Sequence, residues 1–393
     1  MYFYRPASAQ FEPQISVVVV CFVAGIIARL QQQRNNAMSI TLLRVDQVRN
    51  LKQVEIEPHP QLNIIYGENA SGKTSLLEAI HLLSTAKSFR SHRIRTVIQH
   101  DTDKLTCFAR LQNASHMHQI GVERSKSSTE IRIDGESINQ TSILARHLPL
   151  QLITPQVNSL LEQGPKMRRR FLDWGVFHVK HDYLKDWRSF HRVLQQRNAS
   201  LRQRLSQQQV VAWDKALLDA ANKITRCRED YLAALTPLLE EYCEILLGQT
   251  PELIYQHGWP ADLDLATALQ QSFGRDQERG FTSHGPHRAE LVLKFNGVPA
   301  QDVLSRGQLK LFISAMQLAQ VAHLAREQDQ QCVILVDDLA SELDRSRRAE
   351  LIKLLAHTQA QVFITVTEAS LLEIDEGQGH KMFHVERGTI HEI

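Results

Sequence analysis

From residue 38 onward, short apolar runs alternate with segments whose apolar residues recur at helical spacing. The run Leu62–Tyr66 predicts a buried strand, and residues 75–83 predict a helix that follows it after a polar loop. An earlier run at 40–45 predicts another strand. Alternation within 104–133, followed by the turn residues Asp134 and Gly135, predicts hairpin strands. This first part of the chain is therefore predicted to be rich in strands, with one strand–loop–helix unit.

The pattern changes between residues 155 and 279. This stretch is rich in Leu, Arg, Gln and Glu, and it has helical periodicity over 183–205 and 211–247, with Gly248 as a C-cap. Its apolar positions form no long heptad run, which argues against an extended coiled coil. The Gln- and Arg-rich stretch 195–209 fits either a solvated helix surface or a nucleic-acid-binding face. We predict a helical domain at 156–279.

After Gly280, strands and helices alternate again. Apolar runs at 291–295, 332–336 and 362–366 predict strands, and 308–327 and Arg345–His357 predict helices. Alternating elements of this kind form a parallel sheet covered by helices on both faces. The chain is therefore predicted to be an α/β protein whose head, residues 38–155 and 280–393, is interrupted by the helical domain.

Residues 1–37 precede the first predicted strand. Their apolar run at 17–27 is shorter than the about 20 residues that a membrane-spanning helix needs. We predict an N-terminal extension outside the fold, with Met38 as the true start of translation. A membrane-associated tail and a signal peptide are the alternatives.

Composition narrows the class of protein. Hydrophobic residues make up 43% and charged residues 22% of the chain, as in soluble globular proteins. With a net charge of +2, attraction to nucleic acid would have to come from local basic patches. The five cysteines lie far apart without a C-x-x-C pair, which argues against zinc and disulfides and indicates a reducing cytoplasm.

The loop after the strand Leu62–Tyr66 carries the strongest chemical signal. It fits G-x-x-x-x-G-K-[ST], whose glycines let backbone N–H groups surround phosphates at a helix N-terminus. Lys73 would reach the β- and γ-phosphates of ATP, and Thr74 would bind Mg²⁺. The predicted nucleotide-binding residues are Gly67, Glu68, Asn69, Ala70, Ser71, Gly72, Lys73, Thr74 and Ser75.

Two acidic residues near the C-terminus would complete this site. Asp337 ends the apolar run 332–336, at the strand end where α/β sheets bind ligands, and could hold Mg²⁺. Asp338 could activate the attacking water. Asp338 and Lys73 are therefore the predicted catalytic residues. For Asp338, a helix or turn cap is the alternative. Many related ATPases have Glu at this place, and the shorter Asp predicts slow hydrolysis.

A second candidate anion site precedes the helix predicted at 308–327. Ser305, Gly307 and Gln308 lie at its start, where backbone donors and a serine hydroxyl can bind phosphate. One nucleotide cannot easily contact both helix N-termini of a single sheet, so this site predicts ATP held between two subunits. An ordinary serine N-cap is the alternative.

These motifs together resemble the RecF family, the bacterial DNA-repair ATPases of the ABC/SMC-like superfamily. The resemblance extends from residue 38 to about the C-terminus and leaves 1–37 without a counterpart. The residues that carry it are 49–51, 67–74, 88–91, 165–175, 285–288, 304–310 and 337–344.

The resemblance implies an ABC/SMC-type P-loop ATPase head with an inserted helical domain and ATP-dependent homodimers. It also implies binding to DNA at single-strand gaps and junctions, and action with RecR and RecO to load RecA in recombinational repair, replication restart and the SOS response, without a membrane partner. Ser305, Gly307 and Gln308 become the signature acting across the dimer, residues 340–344 link the two sites, and Gln156 senses magnesium. Thr367 and Glu368 stand where transporters carry a switch histidine, which leaves the γ-phosphate sensor unassigned.

Two basic clusters are candidate DNA contacts, since phosphate binding by such clusters is independent of sequence. Solvated surface is the alternative for both, and Arg90 is equally suited to face the nucleotide. The clusters comprise Lys87, Arg90, Arg93 and Arg95, and Lys166, Arg168, Arg169 and Arg170.

ABC transporter subunits and small-molecule kinases also contain a P-loop. The nucleotide-binding subunit of an ABC transporter fits the P-loop, but not the long helical insertion, the missing switch histidine or residues 285–288. A small-molecule kinase has no use for a serine-led signature helix, and its magnesium carboxylate rarely comes so late. DNA affinity that depends on ATP would separate a DNA clamp from both.

Overall fold

The computed structural model describes residues 38–112, 116–154, 159–328, 330–339, 343–358, 360–374 and 379–393. Three of the predictions fall outside these ranges. They are the N-terminal extension 1–37, the magnesium-sensing Gln156, and residues 340–342 of the predicted linking loop.

Fifteen strands occur among the described residues. In chain order they are β1 Ser39–Val48, β2 Leu51–Ile56, β3 Leu62–Tyr66, β4 Lys104–Gln112, β5 Met117–Ser125, β6 Thr129–Ile133, β7 Glu136–Ser137, β8 Leu150–Ile153, β9 Glu252–Gln256, β10 Glu290–Phe295, β11 Val298–Pro299, β12 Val333–Val336, β13 Gln361–Val366, β14 His380–Glu386 and β15 Thr389–Glu392.

Twelve α-helices occur in the same ranges. They are α1 Lys73–Thr85, α2 Thr141–His147, α3 Ser159–Glu162, α4 Pro165–Val179, α5 Tyr183–Arg202, α6 Gln207–Val211, α7 Asp214–Leu247, α8 Leu265–Gln271, α9 Phe273–Arg279, α10 Ala300–Val303, α11 Arg306–Gln328 and α12 Arg345–His357. None of these helices is both long and apolar enough to cross a membrane.

The strands form three sheets. A mainly parallel sheet has the order β15-β14-β3-β13-β12-β8, in which only β15 runs antiparallel. An antiparallel sheet has the order β2-β1-β4-β5-β6-β7, and a small antiparallel sheet the order β11-β10-β9. The predicted parallel sheet is confirmed. Within it, the P-loop strand β3 pairs with β13 and β14, and β13 pairs with β12.

Helix α1 lies between the two large sheets. Its apolar side chains share a core with the antiparallel sheet and with one face of the parallel sheet, represented by Ile65, Leu335 and Phe363. The opposite face, represented by Ile64 and Ile334, shares a second core with α7 and α11. Alternate residues of one strand therefore enter different cores, as the period of two in a strand requires.

The stretch predicted to be helical contains α3 to α9, and α7 ends at Gly248 in the left-handed conformation, which confirms the predicted C-cap. It also contains β9, a strand that the sequence pattern missed. β9 pairs with β10, which lies beyond Gly280. The domain boundaries at 155/156 and 279/280 stay predictions.

Candidate functional site

The P-loop follows β3 and leads directly into α1, the context that a phosphate-binding loop needs. Gly67 has φ 149°, and a Cβ there would lie 2.2 Å from the carbonyl oxygen of Val385, so only glycine fits. The Lys73 ammonium donates hydrogen bonds to the carbonyl oxygens of Gly67 (2.7 Å) and Glu68 (2.8 Å). The predicted residues 67–75 thus form one continuous loop and helix start.

Asn50 braces this loop from outside the motif. Its amide nitrogen donates to the carbonyl oxygens of Ser71 at 2.8 Å and Ala70 at 3.3 Å, and its side-chain oxygen accepts from the Ser75 hydroxyl at 2.9 Å. These bonds turn carbonyl oxygens of the P-loop outward. With these carbonyl oxygens occupied, the N–H groups of the loop and of the first turn of α1 are the groups that would bind a phosphate.

The turn between β14 and β15 closes the other side of the loop. The N–H of Gly388 donates to the carbonyl oxygen of Ser71 at 2.8 Å, and Gly388 has φ 82°. A Cβ at this position would lie 2.2 Å from the carbonyl oxygen of Asn50. The P-loop is therefore bound on two sides, by Gly388 of the C-terminal hairpin and by Asn50 of the β1–β2 turn.

Asp337 lies at the C-terminal end of β12, and the fold brings it to Thr74, 263 positions away in the chain. The Thr74 hydroxyl donates to Asp337 Oδ1 at 2.9 Å. The Thr365 hydroxyl donates to the same oxygen, also at 2.9 Å. A hydroxyl and a carboxylate in contact beside a phosphate loop suit Mg²⁺, which is usually held by few protein oxygens together with water and phosphate.

Asp338 follows at once in an uncommon backbone conformation, with φ 50°. Its N–H donates to the Thr365 hydroxyl at 2.8 Å. Partial burial lowers the pKa of Lys73 from its usual value, while the charges of Asp338 and Asp337 oppose that shift. The negative charges of both aspartates thus favour the charged form of Lys73.

The start of α11 has the geometry of a capping box. The Ser305 hydroxyl accepts from the N–H of Gln308 at 3.3 Å, and the Gln308 side chain accepts from the N–H of Ser305 at 2.9 Å. Ser305 and Arg306 are exposed, and Gly307 and Gln308 are half-buried. The helix end is therefore both capped and open to solvent, so a cap and a role in phosphate binding are compatible.

The two basic clusters differ in their surroundings. Lys87, Arg90, Arg93 and Arg95 are exposed, and Arg90 lies 4.0 Å from the buried Glu78 carboxylate of α1. In the second cluster, Arg168 binds Glu290 through two hydrogen bonds of 2.7 and 2.8 Å.

Arg169 donates to the carbonyl oxygen of Ala289 at 2.7 Å, and burial is the main cause that lowers its pKa. Within this second cluster only Lys166 and Arg170 are exposed. Arg168 and Arg169 thus already hold internal partners that a DNA phosphate would have to displace.

Sequence reasoning missed the parts played by Asn50 and Thr365. Asn50 is among the residues that carry the family resemblance but had no predicted role. Thr365 was predicted only as part of the strand at 362–366. One signal was available for Thr365, because a hydroxyl residue interrupts an otherwise apolar run in β13.

Comparison with known proteins agrees with this geometry. The chain matches the family model described as RecF/RecN/SMC N terminal domain over residues 39–391. It is 42% identical over 356 residues to the DNA replication and repair protein RecF of Shewanella denitrificans and 43% identical to that of Shewanella baltica. Each alignment covers 90% of this chain and 99% of the relative.

Solved structures give the same picture. The recombination mediator protein RecF-ATPrS of the RecFOR pathway superposes with a TM-score of 0.80 at 25% identity, covering 92% of this chain and 100% of that one. An Smc head bound to the C-winged helix domain of ScpA superposes with a TM-score of 0.55 at 13% identity, which shows the fold alone.

The fold and its joined P-loop and aspartate pair define an ATPase head of the SMC type. Within that class the relatives decide the branch. The chain belongs to the RecF family of DNA replication and repair proteins. The matches do not favour the transporter alternative.

Proposed function

We propose that this protein is an ATP-switched DNA clamp for recombinational repair and replication restart. In the proposed cycle, ATP closes a homodimer on DNA at single-strand gaps and single-strand–duplex junctions, and hydrolysis opens it again. The 2.9 Å contact between Thr74 and Asp337 carries the proposal, because it joins the two halves of a magnesium-nucleotide site.

Each residue of the site has a proposed role in binding or hydrolysing ATP. The N–H groups of residues 67–75 and the ammonium of Lys73 bind the phosphates, and Thr74 and Asp337 hold Mg²⁺, with Gln156 as a further candidate. Asp338 activates the attacking water. Hydrolysis is slow and stimulated by DNA, which suits a switch, because a clamp must stay closed long enough to act.

The second half of the ATP site comes from the partner copy. Ser305, Gly307 and Gln308 present a capped, exposed helix N-terminus, and helix N-termini favour anions. The γ-phosphate of ATP bound to one subunit would rest on this end of the other subunit. ATP thereby stabilises the dimer, as any ligand that binds the associated state more tightly than the separate subunits does.

DNA and the other recombination mediators are the proposed partners. RecR and RecO would join the closed dimer, and RecA would be loaded onto the gap next to it. The exposed residues Lys87, Arg90, Arg93 and Arg95 are the better candidates for DNA phosphates, because Arg168 and Arg169 already hold internal partners. Of the second cluster, Lys166 and Arg170 remain. The cytoplasm is the proposed compartment.

The test is the affinity for a gapped duplex, measured with and without ATP. Wild-type protein should bind markedly tighter with ATP, and Lys73→Met should show no such gain, because it lacks the phosphate-binding ammonium. Equal affinity in all four conditions would contradict the proposal.

The DNA interface is tested in the same assay across a salt series. Replacing Arg93 and Arg95 together with Gln should make the slope of log affinity against log salt shallower, by about 0.9 for each DNA phosphate that the variant no longer neutralises. The matched control is the exposed Lys353→Gln on α12, which should keep the wild-type slope. A double variant with the wild-type slope would remove this cluster from the interface.

A further inference from the structure

We infer that Thr365 is a positioning residue for ATP hydrolysis, whose single hydroxyl orients both aspartates of the site. This inference rests on the proposed function, since it concerns the hydrolysis step of the same site. Thr365 lies near the end of β13 and is 1% exposed.

The strand register explains its place. β13 runs parallel to both neighbours, with Ile364 paired to Val336 of β12 and Thr365 paired to Ile65 of β3. Thr365 therefore stands level with Asp337, one residue past the last pair of β12, and beside the strand that leads into the P-loop. No other position of β13 is level with both the first aspartate and the approach to the phosphate loop.

The hydrogen bonds assign the hydroxyl a fixed direction. A threonine hydroxyl has one proton to donate and lone pairs to accept with. The proton goes to Asp337 Oδ1 at 2.9 Å, since an ionised carboxylate only accepts, and the oxygen accepts the N–H of Asp338 at 2.8 Å. The backbone of Thr365 adds a third tie, because its carbonyl oxygen accepts the N–H of Leu339 at 3.3 Å.

Both hydrogen bonds of the Thr365 hydroxyl act on aspartates whose position matters for hydrolysis. Thr365 and Thr74 both donate to Asp337 Oδ1, and two donors on one oxygen restrict the rotation of the carboxylate that would hold Mg²⁺. At Asp338, the chain leaves β12 with φ 50°, a conformation that is uncommon for non-glycine residues, although Asp adopts it more readily than most. The hydrogen bond from its N–H to Thr365 ties the backbone of Asp338 to β13 and so helps to position the residue that carries the carboxylate.

A purely structural threonine is the competing explanation, and kinetics separates the two. Thr365→Val keeps the shape of the side chain and removes the hydroxyl. We expect kcat to fall by about tenfold or more, as when a hydrogen bond to a charged group is lost from the transition state, with a smaller change in KM for ATP. The Mg²⁺ concentration for half-maximal turnover should rise.

The matched control is Thr225→Val on α7. Thr225 is also buried, and its hydroxyl has no hydrogen-bond partner among the described residues. This variant should hydrolyse ATP as the wild type does. A Thr365→Val protein with kcat and Mg²⁺ dependence like those of Thr225→Val would overturn the inference.

A second pair of variants decides the matter if Thr365→Val fails to fold, which its melting curve would reveal. Thr365→Ser and Thr365→Ala lack the same methyl group and differ in the hydroxyl, so serine should retain most of the turnover and alanine should lose it. Equal turnover of the two would contradict the role of the hydroxyl. A wild type without any ATP turnover would overturn the proposed function itself, whereas normal wild-type turnover with indifferent variants overturns only this inference.

Discussion

Asp338 lies in the left-handed region of backbone space, which Asp enters at a lower cost than most non-glycine residues. The hydrogen bond from its N–H to Thr365 helps to hold this conformation. Because aspartate is one methylene shorter than glutamate, we expect the short reach of Asp338 to make hydrolysis slow.

Two substitutions at Asp338 test this view. Asp338→Asn should lower turnover by about 10²–10⁴-fold, because it removes a general base, and should leave ATP binding intact. Asp338→Glu should hydrolyse ATP at least as fast as the wild type. Turnover of the wild type at several per second or better would contradict the idea of a slow switch.

His178 on α4 gives a second prediction at the scale of single residues. It is buried against Trp174, with its ring centroids 4.4 Å apart, and neither ring nitrogen has a hydrogen-bond partner among the described residues. Burial, reinforced by the charge of Arg146, lowers the pKa of His178 to about 3. In the unfolded chain, His178 has an ordinary histidine pKa of about 6.5. Between these two pKa values, His178 is therefore protonated in the unfolded chain and neutral in the folded protein.

The free energy of unfolding should consequently fall as the pH drops from about 6.5 toward 3, and His178 should contribute about 2 kcal/mol of that loss by pH 5. In His178→Phe this part of the pH dependence should disappear. The control is the exposed His92→Phe, which should keep the wild-type slope. Urea unfolding at pH 7.5 and pH 5 measures the difference, and identical slopes for wild type and His178→Phe would refute the assignment.

Motif residues could be predicted from the sequence because their spacing is local. Lys73 and Thr74 lie in one loop, and Asp337 and Asp338 end one apolar run. Thr365 acts through strand register, which no local spacing encodes, and was missed for that reason.

Among the structural elements, the β14–β15 hairpin shows how a segment far from the motif supports it. Gly388→Ala would place a Cβ against the Asn50 carbonyl oxygen and so displace the turn that bonds Ser71. We expect ATP affinity to fall by about tenfold or more, since Asn50 also binds two P-loop carbonyl oxygens.

Gly297 is the matched control, measured with the same fluorescent ATP analogue. It also lies in a strand-to-strand turn with positive φ, at 77°, but a Cβ there would meet nothing within 4 Å. Gly297→Ala therefore carries the backbone strain without the clash and should bind ATP normally. If Gly388→Ala binds ATP as tightly as Gly297→Ala, the hairpin does not support the P-loop.

Helix α11 offers a way to separate capping from phosphate binding. Asp and Asn are N-caps as good as Ser, so Ser305→Asp and Ser305→Asn should melt close to the wild type. The carboxylate of Ser305→Asp would repel a γ-phosphate, whereas the amide of Ser305→Asn would not. We expect only Ser305→Asp to lose ATP-dependent dimerisation, as measured by light scattering; equal dimerisation of both variants would leave Ser305 as a cap alone.

Helices and buried strands could be predicted closely, because each carries many residues of one period. Arg345–His357 and Leu62–Tyr66 occur with the predicted bounds. β9 could not be predicted, because it is a short edge strand with alternating half-exposed residues and its pairing partner follows dozens of residues later.

At the scale of the whole molecule, one helix connects two sheets. Helix α1 carries the P-loop at its start and is buried between the parallel and the antiparallel sheet. The parallel sheet followed from alternating strands and helices, whereas the packing of the antiparallel sheet over α1 depends on long-range contacts that periodicity does not specify. Displacement at the phosphates would thus be transmitted to both sheets, since packed interiors deform little.

The central claim is that ATP joins two copies of this chain on DNA. Sedimentation of wild type and Lys73→Met, each with and without ATP and a gapped duplex, tests it directly. We predict that wild type shifts from monomer to a DNA-bound dimer only when ATP is present, and that Lys73→Met stays monomeric. A wild-type mass that neither ATP nor DNA changes would contradict the account.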